Sequence, residues 1–197
     1  MSLQIIAPCF YHSSESLQLK YFNMSAVKHK IDVIKYGQNE PYKGWVDAQI
    51  TRCLVVLKSL YCSHVLATDA GDVIFTQGAD EIMRRYMCLG KPPMLMGYEV
   101  GGVNAGGWIG EREVAIAMLE QLAKDGGSGD PQVRWRNAIE RRAIRVYVDE
   151  ERRIFDVNPP DVSKSDACIV HLAGGFSHQE TGKEERLAQA WKELGYE

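Results

Sequence analysis

Apolar positions recur along the 197-residue chain in two textures that alternate from one end to the other. Short runs rich in β-branched and aromatic residues, bounded by Gly, Pro, Asn or Asp, predict strands, and longer stretches with apolar residues three and four apart predict amphipathic helices. The strand pattern covers residues 3–7, 32–36, 64–68, 94–97, 104–110, 145–148 and 167–172. The helical pattern covers residues 14–27, 46–61, 79–88, 111–124, 131–142 and 183–194. This order predicts an α/β fold with helices flanking a mainly parallel central sheet. The strongest helix start is Asp130, an N-cap residue followed by Pro131 at the first helical position. The glycine-rich stretch 125–129 reads as a turn between two helices because the periodic pattern resumes at once, so a single compact domain over residues 1–197 is expected. The last helix carries Leu187, Ala190, Trp191 and Leu194 on one face, which is expected to pack on the same domain. Residues 36–44, with Gly37, Gln38, Asn39, Pro41, Tyr42 and Gly44, form a long turn-rich segment of the kind used as a binding loop or left without order.

Composition narrows the possibilities. With 23 Lys plus Arg against 26 Asp plus Glu, the net charge is −3, and 45% hydrophobic residues with 25% charged is ordinary for a globular protein. Disorder, collagen and a coiled coil are excluded. Basic residues are scattered, so no nucleic-acid footprint is present. No apolar run approaches a membrane span, and the first residues lack a basic segment followed by a long apolar one, so a cytoplasmic location is expected. The five cysteines are odd in number and widely spaced with no Cys-x-x-Cys pair, which predicts buried small hydrophobes rather than a disulfide framework or zinc knuckle.

Three segments carry chemistry. The apolar strand from His64 ends in Asp69 and Asp72 on either side of Gly71. In open α/β sheets ligands collect at strand carboxyl ends, and two carboxylates three residues apart can hold Mg²⁺ or Mn²⁺ while leaving positions for water and phosphate. A solvated Asp-Gly turn is the alternative use of the same residues. The segment Asn104-Ala-Gly-Gly-Trp-Ile-Gly110 places Gly106 and Gly107 inside a strand pattern, where glycine marks a bulge or a close ligand approach; a plain hairpin is the alternative. The segment Ala167-Cys-Ile-Val-His-Leu-Ala-Gly-Gly175 ends a buried strand in His171 and a Gly pair, which offers a ring nitrogen to a metal and backbone N–H groups to a phosphate. A structural histidine is the alternative there.

In this order, and together with Asp130-x-Gln132 opening a helix, these motifs resemble the glycosyltransferase domain of procollagen lysyl hydroxylases and related GT-A-type glycosyltransferases, over a span from Ile5 to about Gly175. The resemblance implies a GT-A, Rossmann-like fold and a metal-dependent transfer of sugar from a UDP-sugar to a hydroxyl acceptor, on a glycan or a protein side chain. It makes Asp69, Asp72 and His171 the ligands of Mn²⁺ or Mg²⁺ that hold the diphosphate. It sets Ala7 and Tyr42 beside the base, Asn104, Gly106, Gly107 and Gly174 along the donor, and Asp130 and Gln132 near the sugar and acceptor, with Asp130 the candidate base of an inverting reaction. Trp108 reads as core.

The chain also departs from that family. Where relatives carry a Lys directly after the helix Gln, Gln49 is followed by Ile50, and where they carry one after the last His and Gly, Ser177 stands. Lys43, Arg52, His178 and Lys183 are the candidates to supply those charges from elsewhere. The stretch between Tyr98 and Asn104 is shorter than the family's acceptor-side insertion. These departures motivate a second reading, a nucleotide-sugar-binding protein with little or no transfer. A third, a phosphohydrolase with Asp69 as nucleophile, sits poorly with a first strand that ends in Ala7, Pro8 and Cys9.

Overall fold

Side-chain alternation along the first strand, β1 (Leu3–Pro8), sets the layering: Ile5 and Ala7 enter one hydrophobic layer and Ile6 the other. A sheet covered on both faces needs apolar residues at successive positions rather than alternate ones. The strand β3 (His64–Thr68) meets this demand, being buried at all five positions, with Leu66 on the side of Ile5, and Val65 and Ala67 on the side of Ile6. The computed structural model describes residues 2–10, 17–38, 40–100, 102–125, 129–173 and 182–196.

The remaining elements are α1 (Leu17–Lys28), β2 (Val33–Tyr36), a π-wound turn (Asp47–Arg52) running into α2 (Cys53–Ser59), β4 (Val73–Phe75), α3 (Ala79–Cys88), β5 (Met94–Glu99), β6 (Gly102–Glu111), α4 (Arg112–Lys124), α5 (Pro131–Glu140), β7 (Tyr147–Asp149), β8 (Phe155–Val157), a 3₁₀ turn (Val162–Lys164), β9 (Ile169–His171) and α6 (Lys183–Glu193). Among the described residues nine strands join one sheet in the order β2-β1-β3-β6-β5-β8-β9-β4, with β7 also on β5. The β1–β2, β1–β3, β5–β7, β5–β8 and β8–β9 pairings are parallel; the β3–β6, β5–β6 and β4–β9 pairings are antiparallel. The mainly parallel α/β architecture is therefore the one the sequence predicts. Because β6 reverses between β3 and β5, the strands β1, β3, β5, β8 and β9 all run the same way. Their carboxyl ends share one edge, where the amino end of the reversed β4 also lies.

The differences from the predicted elements are local. The strand β4, directly after the Asp-Ala-Gly-Asp turn, and the strand β8 are three residues each, too short to show a period of their own; pairing with β9 makes both. The hairpin strands extend beyond prediction, β5 to Glu99 and β6 from Gly102 to Glu111, because Tyr98 pairs with Val103 and Glu99 with Gly102. The predicted first-helix start at Ser14 and the turn residues Gly126, Gly127 and Ser128 lie outside the described residues. All five cysteines are free, as expected, but only Cys9, Cys53 and Cys168 are buried. Cys62, after α2, is only partly buried against the core, and Cys88, which ends α3, is exposed. The last helix packs on its own domain: Leu187, Ala190 and Trp191 join Ile74, Val170 and Leu172.

A candidate metal centre at the carboxyl edge of the sheet

Three backbone facts assemble the site. Asp69 follows the last residue of β3, and its N–H donates to the Gly106 carbonyl at 2.8 Å, tying it to the neighbouring strand. Asp72 immediately precedes β4, whose first residue, Val73, stands opposite His171. The Leu172 N–H donates to the Asp72 carbonyl at 2.8 Å and closes the triangle. Residues that the chain separates by about a hundred positions are thus neighbours by strand register alone.

Asp69, Asp72 and His171 are buried, at 8%, 0% and 3% exposure. Each offers one ligand atom, and these atoms all lie within 4.8 Å of one another. His171 Nε2 stands 3.2 Å from Asp72 Oδ1 and 3.6 Å from Asp69 Oδ2. Asp69 Oδ1 accepts from Gln49 Nε2 at 2.8 Å, so its carboxylate is held in orientation. A carboxylate, carboxylate, imidazole set is a donor set for a divalent cation, and an outer amide that orients one ligand is the usual companion of such a centre. Gly106 is part of the fit. A Cβ there would come within 2.3 Å of Asp69 Oδ2 and 2.6 Å of His171 Cε1, so the backbone of β6 approaches the ligand side chains as only glycine permits.

Asp69, Asp72 and His171 lie at one side of a cleft of about 460 Å³ whose lining also includes Trp45, Gln49, Glu99, Asn104, Gly106, Asp130, Gln132 and Ala173. Asp69, Asp72, Glu99 and Asp130 supply carboxylates, and no Lys or Arg lines the cleft among the described residues. Any phosphate entering it meets negative charge unless a cation is bound. Behind Asp69 the floor is neutral. Burial, then the neighbouring Cys53 thiol and Asp69, hold the Tyr36 phenol well above its usual range. Burial pushes the Cys53 thiol up to about 12 and that of Cys9 up to about 11.

The other predicted site residues divide. Asn104 and Gln132 line the cleft: Asn104 Oδ1 accepts from the Gly106 N–H at 2.9 Å, and Gln132 Oε1 from the Ala105 N–H at 2.7 Å. Asp130 caps α5, its Oδ1 accepting from the Gln132 N–H at 2.8 Å, and stands exposed at the cleft. Gly107 faces the other way, where a Cβ would meet the Phe155 ring at 2.9 Å, because strand neighbours point to opposite faces. Ala7 is fully buried in the core outside the cleft lining. Tyr42 packs edge-on against Trp45 at 5.6 Å, and it is Trp45 that lines the cleft. Trp108 is core. Gly174, Ser177 and His178 lie outside the described residues, as does the side chain of Lys183. Ile50 is fully buried, and Arg52 pairs with Glu40 at 2.5 Å and Asp47 at 3.7 Å. Lys43 is exposed outside the lining. Glu99, Trp45 and the role of Gln49 have no signature in the sequence. The helical position of Gln49 beside an apolar stripe gives no reason to place it on the Asp69 carboxylate.

No protein-family model matches the chain, and no curated protein matches it in sequence. In three dimensions it is similar to a glycosyltransferase involved in the glycosylation of the major capsid of PBCV-1, with a TM-score of 0.68 at 10% identity over 94% of this chain and 98% of that one. It is also similar to the glycosyltransferase GlyE of Streptococcus pneumoniae TIGR4, with a TM-score of 0.56 at 10% identity over 98% of this chain and 62% of that one. At such identities the likeness establishes a shared GT-A-like fold. Among the described residues no helix is long and apolar enough to cross a membrane.

Proposed function

We propose that the protein is a metal-dependent glycosyltransferase that moves a sugar from a UDP-sugar to a hydroxyl acceptor. The observation that carries this reading is the buried Asp69, Asp72 and His171 triad at the strand-end edge of a GT-A-like sheet, facing a cleft with no cationic side chain in its described lining. The described lining offers a diphosphate no Lys or Arg, so a bound cation is the partner it favours. The mixed oxygen and nitrogen donors suit Mn²⁺ better than Mg²⁺, which prefers oxygen alone. When bound, the ion would neutralise charge building on the departing nucleoside diphosphate. Gln49 fixes the orientation of Asp69, and Gly106 leaves room against the ligands. Asn104 and Gln132 order the cleft wall, and Asp130, which also lines the cleft, is the carboxylate that would serve as base for the acceptor hydroxyl in an inverting reaction.

The lack of a Lys or Arg in the described cleft lining favours a second reading, a nucleotide-sugar-binding protein with little transfer. Calorimetric titration of UDP with Mn²⁺, repeated with EDTA and with Asp72→Ala, tests the common part: binding that needs the metal and disappears in the variant is expected. No UDP binding under any condition overturns both readings. Release of free sugar from a UDP-sugar by the wild type, absent from Asp72→Ala, separates the enzyme from the binder.

A further inference from the structure

We infer that Glu99 reads the sugar of the donor, its carboxylate accepting hydrogen bonds from hydroxyls of the ring next to the diphosphate while Asn104 and Gln132 hold it in place. This rests on the nucleotide-sugar reading above. Glu99 ends β5, which runs in the same direction as β3 and β9, so it reaches the edge that carries the triad, and it lines the same cleft. Its Oε2 accepts from Gln132 Nε2 at 2.7 Å and from Asn104 Nδ2 at 3.3 Å. Each of those amides is committed at its other end, to the Ala105 N–H and the Gly106 N–H. The carboxylate is therefore aimed by a network anchored in the β6 backbone rather than by a salt bridge. Among the described residues Oε1 has no hydrogen-bond partner, and no Lys or Arg neutralises the group.

The placement fits a sugar. A Cβ on Gly106 would meet Asp69 and His171, and Asn104, two residues away along the same strand, bridges from the Gly106 N–H to Glu99. The Glu99 carboxylate thus shares the cleft with the candidate metal position and faces it across the Asn104 amide. A charged acceptor held rigid by planar amides suits hydroxyl groups, and a site built to bond a hydroxyl discriminates strongly against an epimer that misplaces it. Nothing about a nucleobase or phosphate requires an anion here.

The test is calorimetry with Mn²⁺ of UDP, UDP-glucose, UDP-galactose and UDP-N-acetylglucosamine against wild type and Glu99→Gln. The Gln carbonyl keeps the bonds from Asn104 and Gln132, and its amide replaces the open oxygen. Wild type is expected to prefer one UDP-sugar over another, and Glu99→Gln to erase about tenfold or more of that preference while the Kd for UDP stays within about threefold. Retained UDP affinity shows that the variant folds. A preference that survives in Glu99→Gln, a wild type that binds all three UDP-sugars alike, or a parallel loss of UDP itself overturns the sugar-reading role and leaves the metal centre standing. Failure of the wild type to bind UDP overturns the nucleotide reading and this inference with it.

Discussion

Gly106 and Asp69 hold each other twice: the Asp69 N–H donates to the Gly106 carbonyl at 2.8 Å, and a Cβ on Gly106 would sit 2.3 Å from Asp69 Oδ2. The bond fixes the strand pair, and the close approach leaves the carboxylate one position. Gly106→Ala should push Asp69 and His171 out of register and lower Mn²⁺ affinity by about tenfold or more. Gly107→Ala meets the Phe155 ring first and should cost about 1–3 kcal/mol of stability with metal affinity unchanged. Titrating both variants with Mn²⁺ and melting both decides it; equal metal affinities would refute the claim.

In the proposed metal centre Gln49 acts through Asp69, whose Oδ1 it holds at 2.8 Å. Gln49→Ala removes the bond to Asp69 Oδ1 and should weaken Mn²⁺ binding by about 10- to 100-fold, the usual cost of losing an outer-shell partner. The thermal midpoint should change little, since Gln49 is not a core residue. A variant that binds Mn²⁺ like wild type would show that the Asp69 orientation is set by the backbone alone.

Placing a lysine at position 50, where the family that the sequence resembles carries one, should fail. Ile50 is fully buried among Cys53, Leu57 and Trp108, so Ile50→Lys places an unpaired charge in the core and should cost about 3 kcal/mol or more. Chemical denaturation measures it. Improved UDP affinity without loss of stability would mean that the helix can turn that position to the cleft.

The C-terminal segment should loosen in mild acid. His29 Nε2 lies 2.8 Å from the Tyr196 hydroxyl. Burial, then the nearby Lys28, lowers the His29 pKa below its usual 6.5, while burial raises that of the Tyr196 phenol, so the neutral imidazole accepts and the phenol donates. A histidine with a depressed native pKa contributes stability that is complete above the unfolded pKa. That stability is lost as pH falls through about 6.5 toward the native pKa, because the unfolded chain takes the proton first. The drop in melting temperature between about pH 7.5 and about pH 5.5 should therefore shrink in His29→Gln. Burial lowers the His64 pKa as well, so part of the drop should persist. An undiminished drop would exclude His29 as a contributor.

Local chemistry made much of this protein readable in one dimension. The period of apolar residues marked α3, α4 and α5, and Asp130 with Pro131 marked a helix start, because those features depend on neighbours within a turn or two. The metal candidates were also readable, since a carboxylate or imidazole after an apolar strand is conspicuous. The rest depended on pairing partners distant in sequence. Only the β6 register turns Gly106 to the ligands and Gly107 to Phe155, and only the pairing with β9 makes strands of residues 73–75 and 155–157. Glu99 is an ordinary acidic residue until the reversal of β6 brings the end of β5 to the triad's edge and two amides from Asn104 and Gln132 converge on it. Residue type and local pattern were enough to single out Asp69, Asp72 and His171 as carriers of chemistry. The tertiary structure decided which of them meet, because strand order and facing are set by burial over the whole sheet rather than by any local run.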